Sequence, residues 1–370
     1  MCELVGDRSW VLHPRPSPVA AAMYTLRDLG ADVIVLHGPA GCNFRAARLL
    51  ERDGVRVVTT SLDQNAVIFG GEDRLIDTLV EVEARFSPSL VGVVGTCCAT
   101  IIGEDMSRAA ELSGVTCKVL VVDCDPYNPD NVDGAIRTLE AAQRNGLISE
   151  KEATRQCRML AAANRNEKES GSARKRYFST YGGDSMEEAA RSVYDTLVSG
   201  GPIALVLNAK KETSYLYADV LCAVKYLHTA LGSDSLLYTV ANIDPGIGLE
   251  KIRGYAQNIA SCFAEQGLEV DVLTGGLDEY AISGIRAASA LESAHQDWER
   301  ILVCGLPHAV PVWDHPRSIA VSTGSRALYA IRELGFSRVL DEGEAHCSVL
   351  GANGVVESAF GTALRAFGGV

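Results

Sequence analysis

The stretch Val33-Ile34-Val35-Leu36-His37-Gly38-Pro39-Ala40-Gly41-Cys42 constrains the fold more than any other, because an apolar run stops abruptly in a Gly/Pro turn that ends in a cysteine. Four consecutive apolar residues predict a parallel strand buried on both faces, and Gly38-Pro39 terminates it, so Cys42 is expected at the strand's carboxyl end. Ligands of open α/β sheets bind at that end. The design recurs: Leu90-Val91-Gly92-Val93-Val94 predicts a second buried strand, followed by Gly95-Thr96-Cys97-Cys98 and then Ile101-Ile102-Gly103-Glu104-Asp105. Two cysteine-bearing turns are therefore expected to face one crevice.

Around these strands the pattern alternates. Helices are expected over 19–29, 44–52 and 72–86 and from about Glu104 to Gly114, with further strands over 55–60 and 117–122. Repeated β-α order predicts a mainly parallel sheet with right-handed crossovers. Residues 1–135 read as the α/β subdomain that carries both cysteine turns, onto which part of the 320–370 tail is a candidate to pack back. Residues 136–200 read as a helical, polar connector and 201–320 as a second Rossmann-like α/β region. Lys168, Arg174, Lys175 and Arg176 of the connector fit either a solvated surface or a docking edge for an acidic partner.

Charge and composition exclude several functions. A net charge of -13 argues against a nucleic-acid partner, which normally calls for excess Lys and Arg. No apolar run approaches the ~18 residues of a membrane span, and the first residues lack the basic and apolar regions of a signal peptide, so a cytoplasmic protein with no membrane partner is expected. Eleven cysteines without an export signal read as reduced thiols. Cys117, Cys124, Cys157, Cys222, Cys262 and Cys304 lie in or beside apolar runs and are expected in the core. No C-x-x-C occurs, which removes zinc-ribbon and ferredoxin spacings, and no Walker phosphate loop occurs either.

Three motifs carry a resemblance. His37 to Cys42 resembles the HGPxGC cysteine turn of the nitrogenase component 1 superfamily. Phe69-Gly70-Gly71-Glu72-Asp73-Arg74-Leu75 resembles its FGGxxxL helix start, and Cys97 through Ile101-Ile102-Gly103-Glu104-Asp105 resembles its second cysteine turn and acidic IGDD box. Within the superfamily the short chain, the arm Leu12-His13-Pro14-Arg15-Pro16 and the run Val57-Val58-Thr59-Thr60-Ser61-Leu62-Asp63 are most similar to the D subunits of Ni-sirohydrochlorin a,c-diamide reductive cyclases. The resemblance implies a nitrogenase component 1-like fold, Rossmann-like parallel-sheet subdomains joined by a helical connector. It also implies a 4Fe-4S cluster shared across a homodimer and a separate iron-protein-like ATPase homodimer as the reductase, on which alone MgATP binds. Nickel would enter as part of the substrate, whose ring is reduced while an acetamide closes into a lactam on the way to coenzyme F430.

The residues themselves fit such chemistry without settling it. Cys42 and Cys97 offer soft thiolates, and Gly38, Gly41 and Gly95 remove side chains that would obstruct a bulky inorganic group. Two buried thiols that happen to end strands would give the same pattern. A 4Fe-4S cluster normally takes four cysteines, so two copies of the chain would complete the set. Cys97 alone has the family's spacing to Gly103, and Cys98 fits either a neighbour turned into the core or a further ligand. His37, Glu104 and Asp105 are the nearest candidates for proton delivery, although a turn-bonding His and an acidic helix start are the simpler explanations of them. Arg15, Arg45 and Arg48, with His13, are candidates to bind substrate carboxylates. His308 and His315 fit either loop packing or a tetrapyrrole contact. Competing functions are a non-catalytic scaffold for cluster assembly and a reductase of a protochlorophyllide-like ring.

Overall fold

The computed structural model describes residues 17–125, 132–169, 180–278, 281, 283–294, 297–311, 317–345 and 348–369. Cys2, His13, Arg15, Arg174, Lys175, Arg176, His315 and the side chain of Lys168 lie outside the described residues. The chain divides into two compact units, residues 1–160 and 161–370.

The first unit begins with α1 (Pro18–Asp28), started by Pro18 at its first position and by the Ser17 hydroxyl, which accepts from the Ala20 amide. Next come β1 (Val33–His37), α2 (Phe44–Arg52), β2 (Arg56–Thr59), α3 (Gln64–Phe69) and α4 (Glu72–Phe86). Then follow β3 (Leu90–Gly95), α5 (Cys97–Ile102), α6 (Met106–Leu112), β4 (Lys118–Val122) and α7 (Val132–Arg144). The four strands are parallel in the order β2-β1-β3-β4. β1 and β3 are wholly buried at the centre, as their unbroken apolar runs require, while β2 and β4 are partly exposed edges.

Helices cover both faces of this sheet. Leu75, Leu79 and Val82 of α4 and Met106 and Ala109 of α6 pack with Val33, Val35, Val91 and Val93. On the opposite face α1 lies so close to β3 that a Cβ at Gly92 would come within 2.5 Å of Leu26 Cδ1. α7 is equally close to α1, since a Cβ at Gly134 would reach 1.8 Å from the Pro18 carbonyl. From β1 the chain goes to the β2 edge, and from β3 it goes to the β4 edge. The topological switch point therefore lies between β1 and β3.

Helix α8 (Glu150–Glu169) spans the division, and the second unit continues through α9 (Met186–Ser199), β5 (Ile203–Asn208), α10 (Ser214–Ala230), β6 (Leu237–Ala241), α11 (Glu250–Glu265) and β7 (Val272–Leu273). It ends with α12 (Gly284–Ala294), β8 (Arg300–Gly305), β9 (Ser318–Ser322), α13 (Ser325–Arg332), β10 (Arg338–Asp341) and α14 (Ala359–Arg365). Its sheet is also all parallel, in the order β10-β9-β8-β5-β6-β7. Residues 320–369 supply β10, most of β9 and the helices α13 and α14 to this unit. α14 is fastened to α10 through buried Asp219, which accepts from the Ser358 amide and hydroxyl and from both Arg365 Nη atoms. The α/β class with parallel sheets expected from the sequence is thus the fold of the chain. No helix among the described residues is long and apolar enough to cross a membrane.

Of the six cysteines expected in the core, Cys124, Cys222 and Cys304 are buried, whereas Cys117, Cys157 and Cys262 are only half-buried. Cys117 precedes the partly exposed edge strand β4, and Cys157 and Cys262 lie on surface helices, where one helical face stays wet.

Candidate functional site

β1 and β3 are adjacent and in register to their last residues, with His37 opposite Gly95, so the turns that follow them start side by side. Cys42 closes the first turn just before α2. Cys97 is the first residue of α5 rather than part of an open turn, because the chain re-enters a helix directly after Thr96. Both thiols stand at the carboxyl ends of the two central strands, beside the switch point.

Several short contacts hold the turns together. The His37 carbonyl accepts from the Thr96 amide at 3.0 Å and from the Thr96 hydroxyl at 3.1 Å. The Gly38 amide donates to Thr60 Oγ1 at 3.0 Å. Asn43, in the left-handed region at φ 53°, accepts through Oδ1 from the Ser17 hydroxyl, which ties the start of α2 to the start of α1.

The expectation that three glycines clear space for an inorganic group needs correction at two of them. A Cβ at Gly38 would sit 2.1 Å from Thr96 Oγ1, and one at Gly95 would sit 2.5 Å from Met106 Cε. These glycines let the protein close on itself. At Gly41 no atom lies within 4 Å of the Cβ position, and φ is +87°, so this residue serves both the left-handed turn and open space beside Cys42.

Cys97 is exposed and Cys42 and Cys98 are half-buried. Burial pushes the Cys42 thiol up from its ordinary value, and the thiols of Cys97 and Cys98 push it further. Three sulfurs therefore share one electrostatic neighbourhood, and Cys98 stays half-buried rather than turning fully into the core. Neighbouring soft sulfur donors fit a cationic, thiophilic group such as iron. Among the described residues, no three His, Cys, Asp or Glu side chains of one chain are arranged to enclose a metal ion.

The proton-delivery candidates sit behind the turns. His37 is fully buried, with Nδ1 3.1 Å from Thr60 Oγ1 and Nε2 3.5 Å from Glu104 Oε2. Burial lowers the imidazole pKa, and the neighbouring Glu104 carboxylate opposes that shift. The Glu104 side chain is only 6% exposed, and its Oε1 accepts from the Gly71 amide at 2.6 Å. Both groups are therefore buried behind the turns. Asp105 is exposed and caps α6, accepting from the Arg108 amide. Arg45 is exposed on the first turn of α2, whereas Arg48 pairs with Glu51 on the same helix. His308 is buried in the second unit.

Sequence reasoning passed over the apolar surroundings. Phe44, Ile68, Phe69 and Ile101 are 65, 71, 84 and 62% exposed. Phe44 follows the Cys42 turn, Ile101 shares α5 with Cys97, and Ile68 and Phe69 belong to α3, which touches α5. Apolar side chains beside an expected ligand turn could have been noticed, but their exposure depends on α3 and α5, which are too short to show helical periodicity.

Comparison with known proteins agrees with these motifs. The family model described as nitrogenase component 1 type oxidoreductase matches residues 17–232. The chain is 48% identical over 357 residues to component CfbD of the Ni-sirohydrochlorin a,c-diamide reductive cyclase complex of Methanothermobacter thermautotrophicus, covering 96% of this chain and 98% of that relative. Components of the same name from Methanosarcina acetivorans and Methanocaldococcus jannaschii are 40% and 42% identical, covering 96% of this chain and 96% and 98% of their own lengths.

Proposed function

Because the chain belongs to the nitrogenase component 1 type oxidoreductases, we propose that it is the catalytic subunit of a Ni-sirohydrochlorin a,c-diamide reductive cyclase. It would accept electrons from a separate iron-protein-like ATPase that alone handles MgATP. The observation that carries this reading is the placement of Cys42 and Cys97 at adjoining strand ends beside the switch point, with open space at Gly41. Near full-length likeness to the cyclase components supports the choice of substrate.

A 4Fe-4S cluster bound by Cys42 and Cys97 of two copies would store and pass single electrons. The chain's own residues contribute the rest. The Thr96 and His37 contacts fix the two thiols relative to each other, and the exposed apolar side chains Phe44, Ile68, Phe69 and Ile101 offer a surface for a second copy to cover. An apolar group of this kind is costly to leave wet, and covering it would keep water from the thiols. Arg45, exposed three residues beyond Cys42, is placed to bind a carboxylate of the nickel tetrapyrrole, a role suited to a planar guanidinium fork.

Optical titration of the anaerobically purified protein with Ni-sirohydrochlorin a,c-diamide tests the reading. A saturable spectral change, weakened in Arg45→Ala, is expected. A protein that carries iron yet shows no saturable binding would instead be a scaffold for cluster assembly.

A further inference from the structure

The three motifs read separately in the sequence meet at one buried contact. His37 ends β1 and begins the turn to Cys42, Glu104 follows the short helix that Cys97 opens, and Gly71 is the residue before α4. Gly71 brings bare backbone close to both neighbours, since a Cβ there would lie 2.6 Å from Leu62 Cδ2 and 3.4 Å from His37 Cε1. This close approach lets the Gly71 amide reach Glu104 Oε1 while Glu104 Oε2 faces His37 Nε2. At its other nitrogen His37 meets Thr60 Oγ1, which accepts from the Gly38 amide in the first cysteine turn.

The donors and acceptors form a consistent chain. Thr60 Oγ1 takes the Gly38 N–H and can give its own proton to His37 Nδ1, which leaves the Nε2 proton directed at the Glu104 carboxylate. At 3.5 Å, with no hydrogen bond made at His37 Nε2, that last link is an electrostatic contact. The carboxylate also faces the start of the 15-residue helix α4, where the helix dipole favours negative charge.

We infer that His37 and Glu104 are positioning residues, a buried brace that fixes the Cys42 turn and the Cys97 helix at the spacing a shared metal group requires. The inference rests on the cluster reading above. Glu104 anchors the far end of the helix that presents Cys97, as its own amide bonds back to the Ala99 carbonyl. His37 anchors the near end of the turn that presents Cys42. Without the brace the Thr96 contacts would remain as the link between the two turns, and the Thr100 hydroxyl, bonded to Asp123 and the Cys124 carbonyl, would still hold α5 from its other side.

Glu104→Ala, Glu104→Gln and His37→Ala test this with two readouts. In the metal-free protein, amide exchange should accelerate in segments 38–42 and 96–104 of Glu104→Ala and His37→Ala, with the rest of the chain unchanged. Iron loaded anaerobically should be lost to a chelator roughly tenfold faster, the order of effect seen when groups behind metal ligands are removed. Glu104→Gln keeps an oxygen for the Gly71 amide and should fall between wild type and Glu104→Ala; it serves as the variant of record if the alanine forms do not fold. Wild-type exchange and iron retention in these variants would overturn the brace. Wild-type protein that never takes up iron would refute the cluster reading instead, while the exchange measurement would still decide whether the pair holds the turns.

Discussion

Adding one methyl group to Gly38 should force apart the two cysteine turns. The new Cβ would lie 2.1, 2.6 and 2.8 Å from Thr96 Oγ1, Cγ2 and Cβ, all closer than real Cβ contacts allow. Thr96 is 1% exposed and holds the His37 carbonyl with both its amide and its hydroxyl, so it cannot swing away without losing a bond. Overpacking costs about 1–3 kcal/mol and the lost hydroxyl bond about 1 kcal/mol, while the stiffer unfolded chain returns about 0.4–1 kcal/mol because Gly38 does not need a positive φ. The net expectation for Gly38→Ala is a loss of roughly 1–3 kcal/mol. Urea unfolding followed by circular dichroism measures it. Thr96→Gly removes all three clashing atoms, so Gly38→Ala combined with Thr96→Gly should be no less stable than Thr96→Gly alone. A Gly38→Ala protein within about 0.5 kcal/mol of wild type would refute the reasoning, since that is the effect of an ordinary surface change.

Other expectations concern both units. Burial holds the Glu342 carboxyl above its ordinary value of 4.5, against the Phe360 and Ala359 amides that it accepts from. A group that binds its proton more tightly when folded makes stability fall as pH rises from about 4.5 toward its folded pKa, and Glu342→Gln should flatten that slope in unfolding curves taken across this range. Asp219→Ala leaves Arg365 and the Ser358 amide without their shared acceptor and should cost roughly 3 kcal/mol, read by thermal or urea unfolding. Cys97→Ala should abolish iron uptake while Cys98→Ala keeps most of it, by iron analysis after reconstitution; the opposite result would make Cys98 the ligand.

Much of the first unit was legible because its signals are local. The buried runs of β1 and β3 and the Gly/Pro stop after His37 each act within a few residues, and helices α2 and α4 fall where their apolar spacing put them. The α5 segment reads as a turn and α3 leaves no mark in the pattern, because six residues are too few to establish a helical period. The roles of Gly38 and Gly95 were misread for a different reason. A glycine announces a close approach without saying what approaches, and here the visitors are Thr96 and Met106. The His37–Glu104 contact was out of reach, since it depends on how β1, α4 and α5 come together in three dimensions.

The central claim is a cluster shared by two copies of the chain through Cys42 and Cys97. Iron and labile sulfide per chain, measured together with mass in solution on protein purified without oxygen, test it most directly. One 4Fe-4S cluster per dimer is the predicted result. A folded protein that stays metal-free after anaerobic reconstitution would contradict it.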